Sequence, residues 1–114
     1  MNWKEIKGYE GLYSINDQGR ILSHRRTGAR LHFLKPYRSG HTCREYLAVS
    51  LCMNNKRKRC RVNRLVAEHF IPNPHNHKIV QYKNGNRYDN RAVNLEWASY
   101  SENNKRNRKM QEAI

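Results

Sequence analysis

From Tyr46 to Met53, apolar and polar side chains alternate. Leu47, Val49, Leu51 and Met53 point one way, and Tyr46, Ala48, Ser50 and Cys52 the other. A period of two predicts a β-strand, and Asn54-Asn55 turns the chain after it. An earlier alternation sets Leu12, Ser14 and Asn16 against Tyr13, Ile15 and Asp17, with Asp17-Gln18-Gly19 reversing the chain and Ile21 to His24 returning. That pattern predicts a β-hairpin. Thr27-Gly28 marks a second turn, and Leu31 to Leu34 reads as a strand stopped by Pro36. Trp3, Ile6 and Tyr9 have roughly helical spacing beside Gly8 and read as an ordered lead-in.

The period changes at Val62. Val62, Leu65, Val66, His69 and Phe70 fall at i, i+3, i+4, i+7 and i+8, an amphipathic helix of about two to three turns. Pro72 and Pro74 end it. Lys78 to Lys83 is a short strand, Asn84-Gly85-Asn86 supplies residues that tolerate positive φ, and Leu95 to Ala98 is the partner strand. Leu95 and Trp97 should alternate inward on it. Ser99-Tyr100-Ser101-Glu102 has the spacing of a capping box. A helix should therefore run from about Tyr100 toward the C-terminus.

Composition narrows the partner. The 114 residues are one domain's worth, or two small modules sharing a core. Lys and Arg number 23 against 9 Asp and Glu, a formal charge of +14, and hydrophobic residues are 37% of the chain. A compact chain so basic repels itself, and a polyanion relieves that cost. Nucleic acid is the leading partner. No stretch is long and apolar enough to cross a membrane, and the start is not that of a signal peptide, so the cytoplasm is the expected location. Cys43, Cys52 and Cys60 are odd in number and lack CxxC spacing. They read as small core residues in a reducing compartment.

WKEIKGYEGLYSINDQGRILS, with Trp3, Ile6, Gly8, Tyr9, Glu10, Gly11, Tyr13, Gly19, Arg20 and Ser23 at the matching positions, resembles the NUMOD-type N-terminal module of phage and intron HNH homing endonucleases. VNRLVAEHFIPNP and NGNRYDNRAVNLEWASYSEN resemble the nuclease core that follows it. Together the two matches span nearly the whole chain. The resemblance implies an α+β fold. Residues 1–55 would be a small antiparallel β-hairpin module, and residues 56–114 a ββα-metal (HNH) core with a basic C-terminal helix. It also implies one divalent cation, Mg²⁺ or Mn²⁺, and double-stranded DNA as partner. A monomer in a bacterial or phage-infected cell is expected.

In such a core the first strand ends in Asp-His or Asn-His. The first residue binds the metal and the His takes a proton from the attacking water. A central Asn holds the loop, and a residue of the last helix is a second metal ligand. Carried over, the metal ligands fall on Gln81 and Asn103, the catalytic positions on Tyr82 and Asn94. Gln81 keeps a carbonyl oxygen, and hard oxygen ligands suit Mg²⁺. Tyr82 is the larger departure. An ordinary Tyr has a pKa of about 10, so on the order of 0.1% is phenolate at pH 7. General-base catalysis is worth about 10²–10⁴-fold, and much of that should be lost. His75 and His77 stand upstream, and five residues of strand span roughly 16 Å, so neither substitutes for the base. They read as exposed loop histidines, and His69 as a packed structural residue. Asn84, Asn86 and Asn90 read as turn formers.

Basic residues cluster at Arg25, Arg26 and Arg30; at Lys56, Arg57, Lys58, Arg59 and Arg61; at Arg87 and Arg91; and at Lys105, Arg106, Arg108 and Lys109. Distributed clusters suit a surface that tracks a phosphate backbone. Two functions from different classes follow. One is a metal-dependent DNA endonuclease, acting as a nicking enzyme with a degenerate first strand. The other is an inactive scaffold that binds DNA or a regulatory partner. A small basic RNA-binding protein would explain the charge but not the two module matches.

Overall fold

A computed structural model describes residues 2–27, 30–40, 45–99 and 101. Asn103, Lys105, Arg106, Arg108 and Lys109, with Tyr100 and Glu102 of the capping box and the expected C-terminal helix beyond Ser101, lie outside them, as does Cys43. The described chain is β-rich, with three antiparallel sheets and one α-helix. The first sheet orders β1 (Trp3–Glu5), β2 (Tyr13–Asn16), β3 (Ile21–Thr27) and β4 (Arg30–Phe33). The second holds β5 (Tyr37–Ser39), β6 (Tyr46–Met53) and β7 (Lys56–Arg61). The third pairs β8 (Ile79–Tyr82) with β9 (Leu95–Ala98).

Three elements differ from the sequence expectation. The lead-in contains a paired strand, with Trp3 opposite Asn16 and Glu5 opposite Ser14. Tyr37–Ser39 also pairs, against Tyr46–Ala48. The basic run is itself a strand, with Lys56 opposite Met53 and Arg61 opposite Ala48. Asn54 and Asn55 make that turn at φ of 52° and 64°, the doubly left-handed form that a tight hairpin needs. Lys and Arg fill β7 apart from Cys60, so no period of two is visible. Ladder hydrogen bonds to β6, not burial, hold this strand: all but Cys60 are exposed.

The helix α1 (Val62–Phe70) follows β7 directly, from an extended Arg61 with no side-chain cap. It buries Val62, Leu65, Val66 and His69, as its spacing predicts, and Ala67 beside them, while Phe70 is half-buried. Full burial of each large aliphatic contributes roughly 1.5–3 kcal/mol. The Ile71 N–H closes the last turn on the Ala67 carbonyl, and Pro72 cannot continue it.

One core joins the two halves of the chain. Ile6, Tyr13, Ile15 and Ile21 from the first sheet meet Val49 and Leu51 from the second, α1, and Leu95 of β9. Hydrogen bonds stitch the same boundary. The Cys52 N–H donates to the Tyr13 hydroxyl at 3.0 Å, and the Ala92 N–H to the Asp17 carbonyl at 2.8 Å. Cys52 and Cys60 are free and half-buried, as expected. Among the described residues no helix is long and apolar enough to cross a membrane.

Candidate active site

The strand end at Tyr82 is held by a clasp built on Asn94. Between the strands the chain makes a long loop that must be pinned by polar groups. Asn94 is buried, and its Oδ1 accepts the Asn84 N–H at 3.1 Å. Its Nδ2 donates to the Asp89 carbonyl at 2.9 Å, and its own carbonyl accepts the Lys83 N–H at 2.7 Å. Gly85, at φ 75°, makes the tight turn after Tyr82. The Asn84 and Asn86 side chains accept backbone N–H groups two residues on, the turn role expected of them. Asp89 completes the brace. Both of its oxygens accept from Arg91 at 2.8 Å, and Asn84 Nδ2 adds a bond at 3.1 Å. The Arg91 bonds and then Asn84 hold this carboxyl down to about 2. Arg91 therefore spends its guanidinium on the loop.

Gln81 and Tyr82 stand on opposite faces of the hairpin. The register sets Gln81 against Glu96 and Tyr82 against Leu95. Tyr82 packs against the core. Burial pushes its phenol up to about 12, against the pull of Arg87 and Arg61. Two expected DNA-binding cations therefore face the strand end, and its phenol stays protonated at neutral pH. On the other face Gln81 Nε2 donates to Glu96 Oε1 at 2.7 Å. Gln81 Oε1 is buried with no hydrogen-bond partner among the described residues. That orphaned acceptor beside a carboxylate is a donor set that fits a hard divalent cation. Among the described residues no three His, Cys, Asp or Glu side chains converge, so such a cation would rest on amide oxygens and Glu96.

His69, His75 and His77 lie elsewhere. His69 receives the Lys7 N–H on Nε2 at 3.0 Å, and its Nδ1 lies 2.6 Å from the Leu65 carbonyl. These partners require the tautomer with its hydrogen on Nδ1, so His69 ties the segment after β1 to α1 as a structural residue. His75 and His77 lie against each other in the loop after α1, their ring centroids 5.6 Å apart and their planes tilted by 40°.

The expected phosphate contacts divide among elements. Lys56, Arg57, Lys58, Arg59 and Arg61 line the exposed edge strand β7. Arg59 donates to Ser39 Oγ at 3.0 Å, and Arg61 lies 4.2 Å above the Tyr46 ring. Arg25 and Arg26 fall on β3 and Arg30 opens β4. Sequence reasoning missed two groups. Glu96 reads from the sequence only as part of a strand, because the long loop between β8 and β9 leaves the register open. Arg38 stacks 5.4 Å over Tyr88, which donates to Glu45 at 3.0 Å, so the second sheet reaches the nuclease loop.

Comparison with known proteins places this arrangement. Residues 1–64 match the NUMOD4 motif, and residues 60–105 match the HNH endonuclease model. The chain is 38% identical over 101 residues to the uncharacterized HNH endonuclease L245 of Acanthamoeba polyphaga mimivirus, covering 89% of this chain and 28% of that one. It is 34% identical over 99 residues to DNA endonuclease I-HmuI of Bacillus phage SP01, covering 87% and 53%. The chain thus spans about half or less of the length of these relatives. A solved structure describing DNA binding and cleavage by the HNH homing endonuclease I-HmuI superposes with a TM-score of 0.79 at 32% identity, covering 100% of this chain and 61% of that one. The chain superposes over its whole length on a phage-type homing nuclease, and it belongs to the HNH endonucleases that carry a NUMOD4 motif.

Proposed function

We propose that this chain binds double-stranded DNA and nicks it slowly at the β8 strand end. The observation that carries this reading is the Asn94 clasp. It holds the end of β8 in place although the residues presented there have changed. Residues 1–55 supply the β-rich DNA-binding module and residues 56–114 the nuclease core, with β7 at the start of the core offering phosphate contacts. A divalent cation, Mg²⁺ or Mn²⁺, held by Gln81 and Asn103 would neutralise charge on the phosphate and the leaving oxygen.

The chain's own residues do the rest. Arg61 and Arg87 draw a phosphate toward the strand end. Tyr82, kept as a neutral phenol, orients water by hydrogen bonding and does not take its proton. Without a general base a factor of about 10²–10⁴ is absent, which makes the enzyme slow. Supercoiled plasmid incubated with Mg²⁺ or Mn²⁺, beside an Asn103→Ala variant, tests this. Metal-dependent nicking lost in the variant is expected. Tight, salt-sensitive binding without nicking would instead establish a second reading, a scaffold that grips DNA without cutting. The buried phenol of Tyr82 favours that second reading. A Gln81→Asp, Tyr82→His double variant that gains nicking would identify an intact site silenced by two substitutions.

A further inference from the structure

We propose that Glu96 supplies the negative charge of the cation site, in place of the acidic residue that the β8 strand end lacks. This rests on the nuclease reading above. Two observations carry it. The register puts Gln81 and Glu96 directly opposite each other, and their side chains meet at 2.7 Å. The other amide atom, Gln81 Oε1, is a buried acceptor without a hydrogen-bond partner among the described residues.

The chemistry follows from the amide. A carboxamide presents one oxygen and one nitrogen, and half a turn exchanges them. With no cation, the nitrogen faces Glu96, because two bare oxygens would repel. With a cation between them, the oxygen takes that place, and two hard oxygens from neighbouring strands converge. Small divalent cations are held by one or two carboxylates, with water and phosphate completing the shell. One carboxylate and a neutral amide also carry the same single charge as an Asp and an amide. Glu96 would thus compensate for the neutral Gln81 from the strand opposite.

Free Mn²⁺, followed by its EPR signal as the full chain is added, tests the assignment without relying on cleavage. The wild-type chain is expected to deplete the signal. Glu96→Gln should weaken Mn²⁺ binding on the order of 10-fold or more. It can still accept the Gln81 N–H, so the contact across the two strands is kept in the metal-free fold. Gln81→Asp should tighten Mn²⁺ binding and lower the metal-free melting temperature, since two carboxylates would then face each other. A Glu96→Gln chain that binds Mn²⁺ like the wild type overturns the proposal, as does a wild-type chain that leaves the signal untouched. Nicking that persists with unchanged Mn²⁺ affinity in Glu96→Gln defeats this inference alone. Mn²⁺ binding that depends on Glu96 in a chain that nicks nothing defeats only the nuclease reading.

Discussion

The Asn90 carbonyl oxygen lies 3.0 Å from where a Cβ on Gly19 would stand. Gly19 turns the first-sheet hairpin, and Asn90 belongs to the nuclease loop, so the two halves of the chain touch backbone to backbone here. Gly19 also sits at φ 82°, where L side chains are strained. Gly19→Ala should destabilise the fold by about 1–3 kcal/mol, read as a lower urea midpoint. An unchanged midpoint would mean that the loop gives way freely.

Asn94→Ala should cost more than an ordinary surface change. It removes the bonds to the Asn84 N–H and the Asp89 carbonyl, both part-buried, and each such bond contributes about 0.5–1.5 kcal/mol net. Hydrogen exchange at the Asn84 amide should speed up in the variant ahead of amides on β6. Uniform acceleration across the chain would show that Asn94 supports the whole fold and not the clasp.

Tyr82 and Asp89 predict opposite pH limits. The Tyr82 phenol rises from 10.0 to about 12, mainly through burial, so the fold favours its neutral form. Its share of stability is whole below about pH 10 and is lost as pH climbs toward about 12. Tyr82→Phe should flatten that alkaline fall in melting temperature, and the folded wild type should show one phenolate absorbance step missing until above about pH 10. The Asp89 carboxyl falls from 3.8 to about 2, mainly through its Arg91 bond, so the fold favours its charged form. Its share is whole above about pH 4 and is lost as pH drops toward about 2. Asp89→Asn should remove that acid-limb loss. Because Arg91 is half exposed, added salt should shrink the effect.

The edge strand β7 should set the salt dependence of DNA binding. Replacing Arg57, Lys58 and Arg59 with Ala removes three exposed cations. The slope of log affinity against log salt should fall by about 0.9 for each phosphate that is no longer neutralised, and equally on unrelated duplexes. A slope that stays the same would assign phosphate neutralisation to other clusters.

Much of the fold was legible because its signals are local. Tyr46 to Met53 declares its strand by alternation. The stripe from Val62 to Phe70 declares α1, and Pro72 its end. Asn94 and the Asn84-Gly85-Asn86 turn declare the nuclease hairpin. The strands missed were Trp3–Glu5, Tyr37–Ser39 and Lys56–Arg61. They are edge strands with mostly exposed side chains, so burial imposes no alternation on their sequence. Backbone pairing to the adjacent strand in the chain decides them, and that leaves no mark on composition.

The candidate site divides in the same way. The chain alone determined that Gln81 and Tyr82 occupy the strand end, since their identities and their distance from Gly85 are one-dimensional facts. Only tertiary structure decided what each can do. The packing of Tyr82 among core side chains raises its phenol, because desolvation depends on neighbours from elsewhere in the chain. The pairing of Gln81 with Glu96 depends on the register across a loop whose closure Asn94 enforces.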